Sequence, residues 1–143
     1  MLAQDTIDKL KAAYRRWNDT RGQSIADWID LMTDDVKLRS VADGAEGMKF
    51  SAARDGKDAA HGYFSALHEE WEMIHHTAEE FIVDAGGARV AVFGRCAYKN
   101  RKTGKTAESH FAHRWRFRDG RIAEYFEIYD TAKAFAAATP DKT

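Results

Sequence analysis

Two hydrophobic periods run along this chain, and the change from one to the other divides it near its middle. In the first half, apolar residues recur at three- and four-residue steps. Ile7, Leu10, Tyr14 and Trp17 predict a helix over 5–20, with Asp5 or Thr6 as its cap. Ile25, Trp28, Ile29 and Met32 predict a second helix, opened by Ser24 with Asp27 in capping-box spacing. Ala60, Tyr63, Phe64, Leu67 and Trp71 predict a third over 58–71. Between the last two, Thr33-Asp34-Asp35 breaks the pattern, and 36–41 reads as a short strand. Residues 42–57 carry three glycines and no period, as expected of a long loop at a rim or lid.

From residue 74 onward the period is two. Strands are expected over 74–84, 88–100, 105–118 and 122–129, joined by turns at 85–87, 102–104 and 119–120. The last turn, Asp119-Gly120, is a two-residue connection of the type that takes positive φ at little cost. Before it, Phe111, His113, Trp115 and Phe117 share one face. A short helix follows over 131–138, with Asp130 as its cap and a polar tail over 140–143. Helices segregated ahead of consecutive antiparallel strands define an α+β domain, with one sheet of four or five strands curled around the helical layer.

Composition narrows the function classes. The 143 residues make one domain, 44% hydrophobic, 12% aromatic and 31% charged, with a net charge of −1. That balance exerts no general pull on nucleic acid or an anionic membrane. The basic hairpin tip Lys99–Lys105 lacks the interleaved aromatics that stack on bases. Cys96 is the single cysteine, so no internal disulfide is expected, and it sits in an apolar run as a small buried hydrophobe. With no signal-peptide pattern and no membrane-length apolar run, the expected location is the cytoplasm. His75-His76 with Glu79 and Glu80 resembles a ligand cluster, but strand alternation puts His75 and Glu79 on one face and His76 and Glu80 on the other. No metal site is expected there.

Three stretches carry a family resemblance: Tyr14 on the first helix, Met32-Thr33-Asp34-Asp35-Val36, and Arg116 to Ile122 running on to Tyr129-Asp130-Thr131. With this element order, the chain resembles the nuclear transport factor 2-like superfamily, in its SnoaL-like and ketosteroid-isomerase-like branch. The resemblance implies a cone whose curved antiparallel sheet wraps three N-terminal helices, an apolar pocket at one end, no cofactor, and a homodimer through the outer sheet face. Ketosteroid isomerases place an oxyanion-binding tyrosine where Tyr14 stands; their base and second oxyanion group correspond here to Ser40 and His113. Limonene-epoxide-hydrolase-like members need an Arg-x-Asp pair where this chain has Gly94 and Cys96. The polyketide cyclases of the branch use a last-strand carboxylate aided by a neighbouring histidine, and Glu127 and His113 look similar to that pair.

The hairpin alone leaves the direction of Glu127 open. A plain turn pairs His113 with Phe126 and sends Glu127 outward; one extra residue near Ala123-Glu124 reverses every later side chain. The resemblance implies that bulge. The site then expected has Glu127 as general base, His113 as an imidazolium partner and Tyr14 as oxyanion donor. Trp17, Phe50, Tyr63, Phe64, Trp115, Tyr125 and Tyr129 complete the lining for a flat apolar or aromatic molecule with one or two oxygens. Such a set suits proton removal beside a carbonyl, as in an isomerase or cyclase. The alternatives are a binder without chemistry and a dimeric scaffold.

Overall fold

Residues 3–86 and 88–142 are described by the structure, a computed structural model. Gly87 of the expected 85–87 turn and Thr143 of the tail lie outside them. Helix α1 (Gln4–Asp19) buries Ile7, Leu10, Ala13, Tyr14 and Trp17, as its apolar spacing predicts. Its N-cap is Ala3 and not Asp5 or Thr6, with no side chain closing the end. Helix α2 (Ile25–Leu31) is capped by Ser24 without a side-chain hydrogen bond. The expected capping box does not form, because Asp27 pairs with Arg16 of α1 at 2.5 Å. Helix α3 (Lys57–Glu70) buries Ala60, Tyr63, Phe64 and Leu67. Trp71, expected to end it, instead opens the next strand.

Six strands form one curved, open sheet: β1 (Met32–Ser40), β2 (Arg54–Asp55), β3 (Trp71–Val83), β4 (Arg89–Asn100), β5 (Thr106–Arg118) and β6 (Arg121–Tyr129). Their order is β2-β1-β6-β5-β4-β3. β3 to β6 are the expected antiparallel meander, whereas β1 runs parallel to β6. Thr33-Asp34-Asp35 therefore does not break the chain but belongs to β1. There Asp34 and Asp35 lie on the surface and pair with Lys57 and Arg118. The 42–57 segment is less open than expected. It holds a 3-10 turn (Lys49–Ser51) and the two residues of β2.

Asp119 and Gly120 take φ of 51° and 77°, the mirror-image turn that matches strand twist. Phe117 pairs with Ile122 but Arg116 pairs with Glu124, so Ala123 is a one-residue bulge. Two further bulges interrupt β3, between Met73 and His75 and between Ala78 and Glu80. Each bends its strand and reverses its alternation. Helix α4 (Thr131–Ala138) follows β6 directly, with Asp130 accepting from the Lys133 N–H at 3.0 Å. It turns Ala134 and Ala137 inward and is held by Thr103 and Lys105 of the β4–β5 tip, which donate to the Ala137 and Thr139 carbonyls. No helix among the described residues is long and apolar enough to cross a membrane.

Candidate functional site

The concave face of the sheet and helices α1 and α3 enclose a cavity of about 90 Å³. All ten residues singled out from the sequence line it: Tyr14, Trp17, Phe50, Tyr63, Phe64, His113, Trp115, Tyr125, Glu127 and Tyr129. Four more stand out in its wall that the sequence pattern does not place there: Trp28, His76, Cys96 and Tyr98. Trp28 stacks on Trp115 with ring centres 5.2 Å apart. His76 reaches the wall because the bulge before His75 shifts the parity of β3. Glu80, expected on the same face, is turned by the second bulge to lie beside the exposed Phe93.

The bulge at Ala123 decides the chemistry of the site. Downstream of it Tyr125, Glu127 and Tyr129 face the cavity, and Glu127 sits opposite His113 on β5 and beside Ser40 on β1. Glu127 is 5% exposed. Tyr63 and Tyr125 each donate an O–H to its Oε2, at 2.8 and 3.0 Å, while Oε1 has no partner. Among the described residues the cavity lining contains no lysine or arginine. Burial pushes the carboxyl from 4.5 up to about 7, against the opposing pull of the hydroxyl donors Tyr63, Tyr125 and Ser40. A carboxylate tuned to that range exchanges protons at neutral pH.

His113 is not the imidazolium expected from the sequence. Burial, with the neighbouring His76 as a second cause, lowers its basicity well below the ordinary value, so the ring is neutral. Its hydrogen bonds fix the tautomer. The Trp115 indole N–H donates to Tyr14 Oη at 2.7 Å, and Tyr14 lies 2.5 Å from His113 Nδ1. An indole nitrogen only donates, and Tyr14 Oη has no other acceptor among the described residues. Its hydroxyl therefore donates to Nδ1, and the imidazole proton resides on Nε2. Tyr14, kept protonated by burial, thus spends its single O–H inside the wall. The expected oxyanion donor is a positioning group, and His113 Nε2–H makes no hydrogen bond among the described residues; Trp28 Nε1 and Tyr129 Oη in the same wall also lack a partner among them.

The remaining polar groups sort by similar arguments. Burial raises the Cys96 thiol to about 12, which makes it an inert wall residue. His76 is buried, neutral and lowered to about 3, again by desolvation first. Among the described residues no group of three or more His, Cys, Asp or Glu is arranged to hold a metal ion.

Residues 10–125 match the SnoaL-like domain family. No curated protein matches the chain by sequence. Among solved structures, it is similar to a nuclear transport factor 2-like protein of unknown function from Burkholderia pseudomallei. The TM-score is 0.79 at 20% identity, over 96% of this chain and 99% of that one. A candidate isomerase from Bacillus subtilis superposes with a TM-score of 0.77 at 17% identity, over 96% and 99% of the two chains. A candidate SnoaL-like polyketide cyclase from Jannaschia sp. CCS1 gives 0.74 at 15% identity, over 95% and 93%. At such identities these likenesses establish the fold, a nuclear transport factor 2-like cone. The sequence match covers most of the chain, from the first helix into the last strand, and with it the chain belongs to the SnoaL-like domain family.

Proposed function

We propose that this protein is a cofactor-independent enzyme that removes a proton next to a carbonyl, the step that opens both isomerisation and aldol-type cyclisation. One observation carries the reading: a buried carboxylate with an oxygen free of hydrogen bonds stands beside a neutral imidazole on the adjacent strand, both lining an aromatic cavity that holds no lysine or arginine among the described residues. In this mechanism Glu127 Oε1 takes the proton, while Tyr63 and Tyr125 hold Oε2 and fix the carboxylate plane. His113 Nε2–H donates to the oxygen that becomes an enolate. Tyr14 and Trp115 orient that donor through Nδ1 and keep its proton on the cavity side. The aromatic walls exclude water, so donor and base act in a medium where each is worth more than in solution. The names borne by the Bacillus and Jannaschia neighbours, an isomerase and a cyclase, belong to the same reaction class.

The test is exchange of α-hydrogens for deuterium in small cyclic ketones, followed by proton NMR in heavy water. Wild-type protein is expected to catalyse exchange, and Glu127→Gln to lose about 10²–10⁴-fold of the rate. Binding with no exchange above the Glu127→Gln level would instead establish a small-molecule binder without chemistry.

A second copy of the chain is the proposed partner. Phe93 and Ile128, 42% and 49% exposed, flank Ala112 on the convex sheet face, next to a row formed by Ile82, Ala91, Arg114 and Phe126. An apolar band of that kind is rarely left in water.

A further inference from the structure

His76 is a polar group in the cavity wall that neither the fold nor the proposed reaction uses. The residue is 6% exposed, and its Nδ1 has no hydrogen-bond partner among the described residues. The ring stacks on Phe111 at 4.3 Å and lies 5.6 Å from the ring of His113, within 23° of parallel. Gly94 makes this possible: a Cβ there would stand 2.6 Å from the Phe111 ring, displacing the ring on which His76 rests. Tyr14 and Tyr98 lie on further sides, and the residue also borders a polar cleft with Lys11, Arg15, Asn18 and Asp19, where its backbone N–H donates to Asn18 Oδ1.

Such a position suits phenylalanine better than histidine. An apolar ring of the same outline keeps the stack and removes a buried nitrogen left without a hydrogen bond, which is costly in a protein interior. The histidine therefore has no account in the packing. It has one if a hydrogen-bonding partner enters the cavity. A neutral imidazole offers one N–H and one bare nitrogen, and either can meet a hydroxyl or a carbonyl.

Resting on the proton-abstraction reading above, we propose that His76 is a specificity residue that binds a second oxygen of the substrate. The cavity then selects a flat six-membered ring bearing two oxygens in 1,3 relation. One oxygen meets His113 beside Glu127 and the other meets His76. The two imidazole ring centres stand 5.6 Å apart, a separation comparable to that of two such oxygens.

Resorcinol and m-cresol are matched probes, differing by one hydroxyl replaced with a methyl group. Their affinities are measured by calorimetry at pH 7 for the wild type and for His76→Phe, with thermal melts of both proteins. The expected result is that wild type prefers resorcinol and that His76→Phe reduces the resorcinol/m-cresol affinity ratio about 10-fold, with m-cresol binding kept. A site built to satisfy a hydroxyl discriminates in this way, and the ratio cancels the differing hydration of the two ligands. His76→Phe is also expected to melt no lower than wild type. An unchanged ratio with both ligands bound overturns the role of His76 and leaves the proposed function standing. A His76→Phe chain that fails to fold also overturns it, because the ring is then held by packing. Wild type that binds neither probe overturns this proposal and the reading beneath it together.

Discussion

Replacing Glu127 by glutamine tests the electrostatics of the site without any substrate. The folded protein holds the Glu127 proton up to about pH 7, whereas the unfolded chain releases it near 4.5. Between those values the native state binds more protons than the unfolded state, so stability falls as pH rises through that window and levels off above it. At about 1.4 kcal/mol per pH unit, the rise from 4.5 to about 7 corresponds to roughly 3 kcal/mol lost by the wild type. The substituted glutamine has nothing to titrate. Its carbonyl still accepts from Tyr63 and Tyr125, and any cost of placing its NH₂ at the unpartnered Oε1 position is constant with pH. His76 and His113, neutral when folded, destabilise both proteins equally at low pH and drop out of the difference.

The assay is urea unfolding of wild type and variant at half-unit steps from pH 4.5 to 8. The variant should gain on the wild type by roughly 3 kcal/mol across that range, a relative shift in midpoint of about 1–3 M for ordinary urea slopes. Nearly all of the gain should fall below pH 7.5. A flat difference curve would refute the reasoning: it would mean that the buried carboxylate is already compensated and is not poised as a base.

Other outcomes follow from the same geometry. Tyr14→Phe leaves the Trp115 indole N–H and His113 Nδ1 without their shared partner, so chemical denaturation should show a loss of about 2 kcal/mol or more, and kcat for ketone exchange should fall at least about 10-fold. Gly94→Ala drives a methyl group into the Thr77 carbonyl and the Phe111 ring, and a melting curve should record a loss of about 2–3 kcal/mol. Ile128→Lys puts a charge in the convex apolar band, and sedimentation should show a monomer where the wild type sediments as a dimer, with cavity binding unchanged.

The parts of the fold legible in the sequence are those governed by neighbours along the chain. The α1 stripe, the Asp119-Gly120 turn and the Asp130 cap each depend on residues within a few positions, and each forms as read. What is not legible depends on partners far away. Thr33-Asp34-Asp35 looks like a breaker because short polar residues disfavour strands, yet pairing with β6 on either side, at Met32 and from Lys37 onward, and ion pairs to Lys57 and Arg118 carry the strand through an irregularity there. β2 is two residues long and exists only by pairing with Lys37 and Leu38. His76 and Glu80 escape a reading by alternation because the two bulges in β3 have no local signature: the first reverses inside and outside before His76, the second before Glu80. The Ala123 bulge has no local signature either; family resemblance is the signal for it. The tyrosine relay through Tyr14 joins residues about a hundred positions apart, so its direction is readable only from the assembled cavity.

Helix α4 has a kinetic consequence. Ala134 roofs the cavity, yet the helix is only eight residues long. Apart from Ala134, Ala137 and the partly buried Ala138 it is attached by a few polar contacts: Thr103 to the Ala137 carbonyl, and Lys105 to the Thr139 carbonyl and to Asp141. Phe135 points away and is half exposed. Lifting this roof breaks little of the aromatic interior, so local opening there is cheap compared with global unfolding. Affinity and turnover are thereby assigned to different parts of the chain. For a molecule bound as proposed, the rings inside would set how strongly it is held, and these two turns of helix how long it stays. Shortening the tail should raise both association and dissociation rates while leaving their ratio nearly constant.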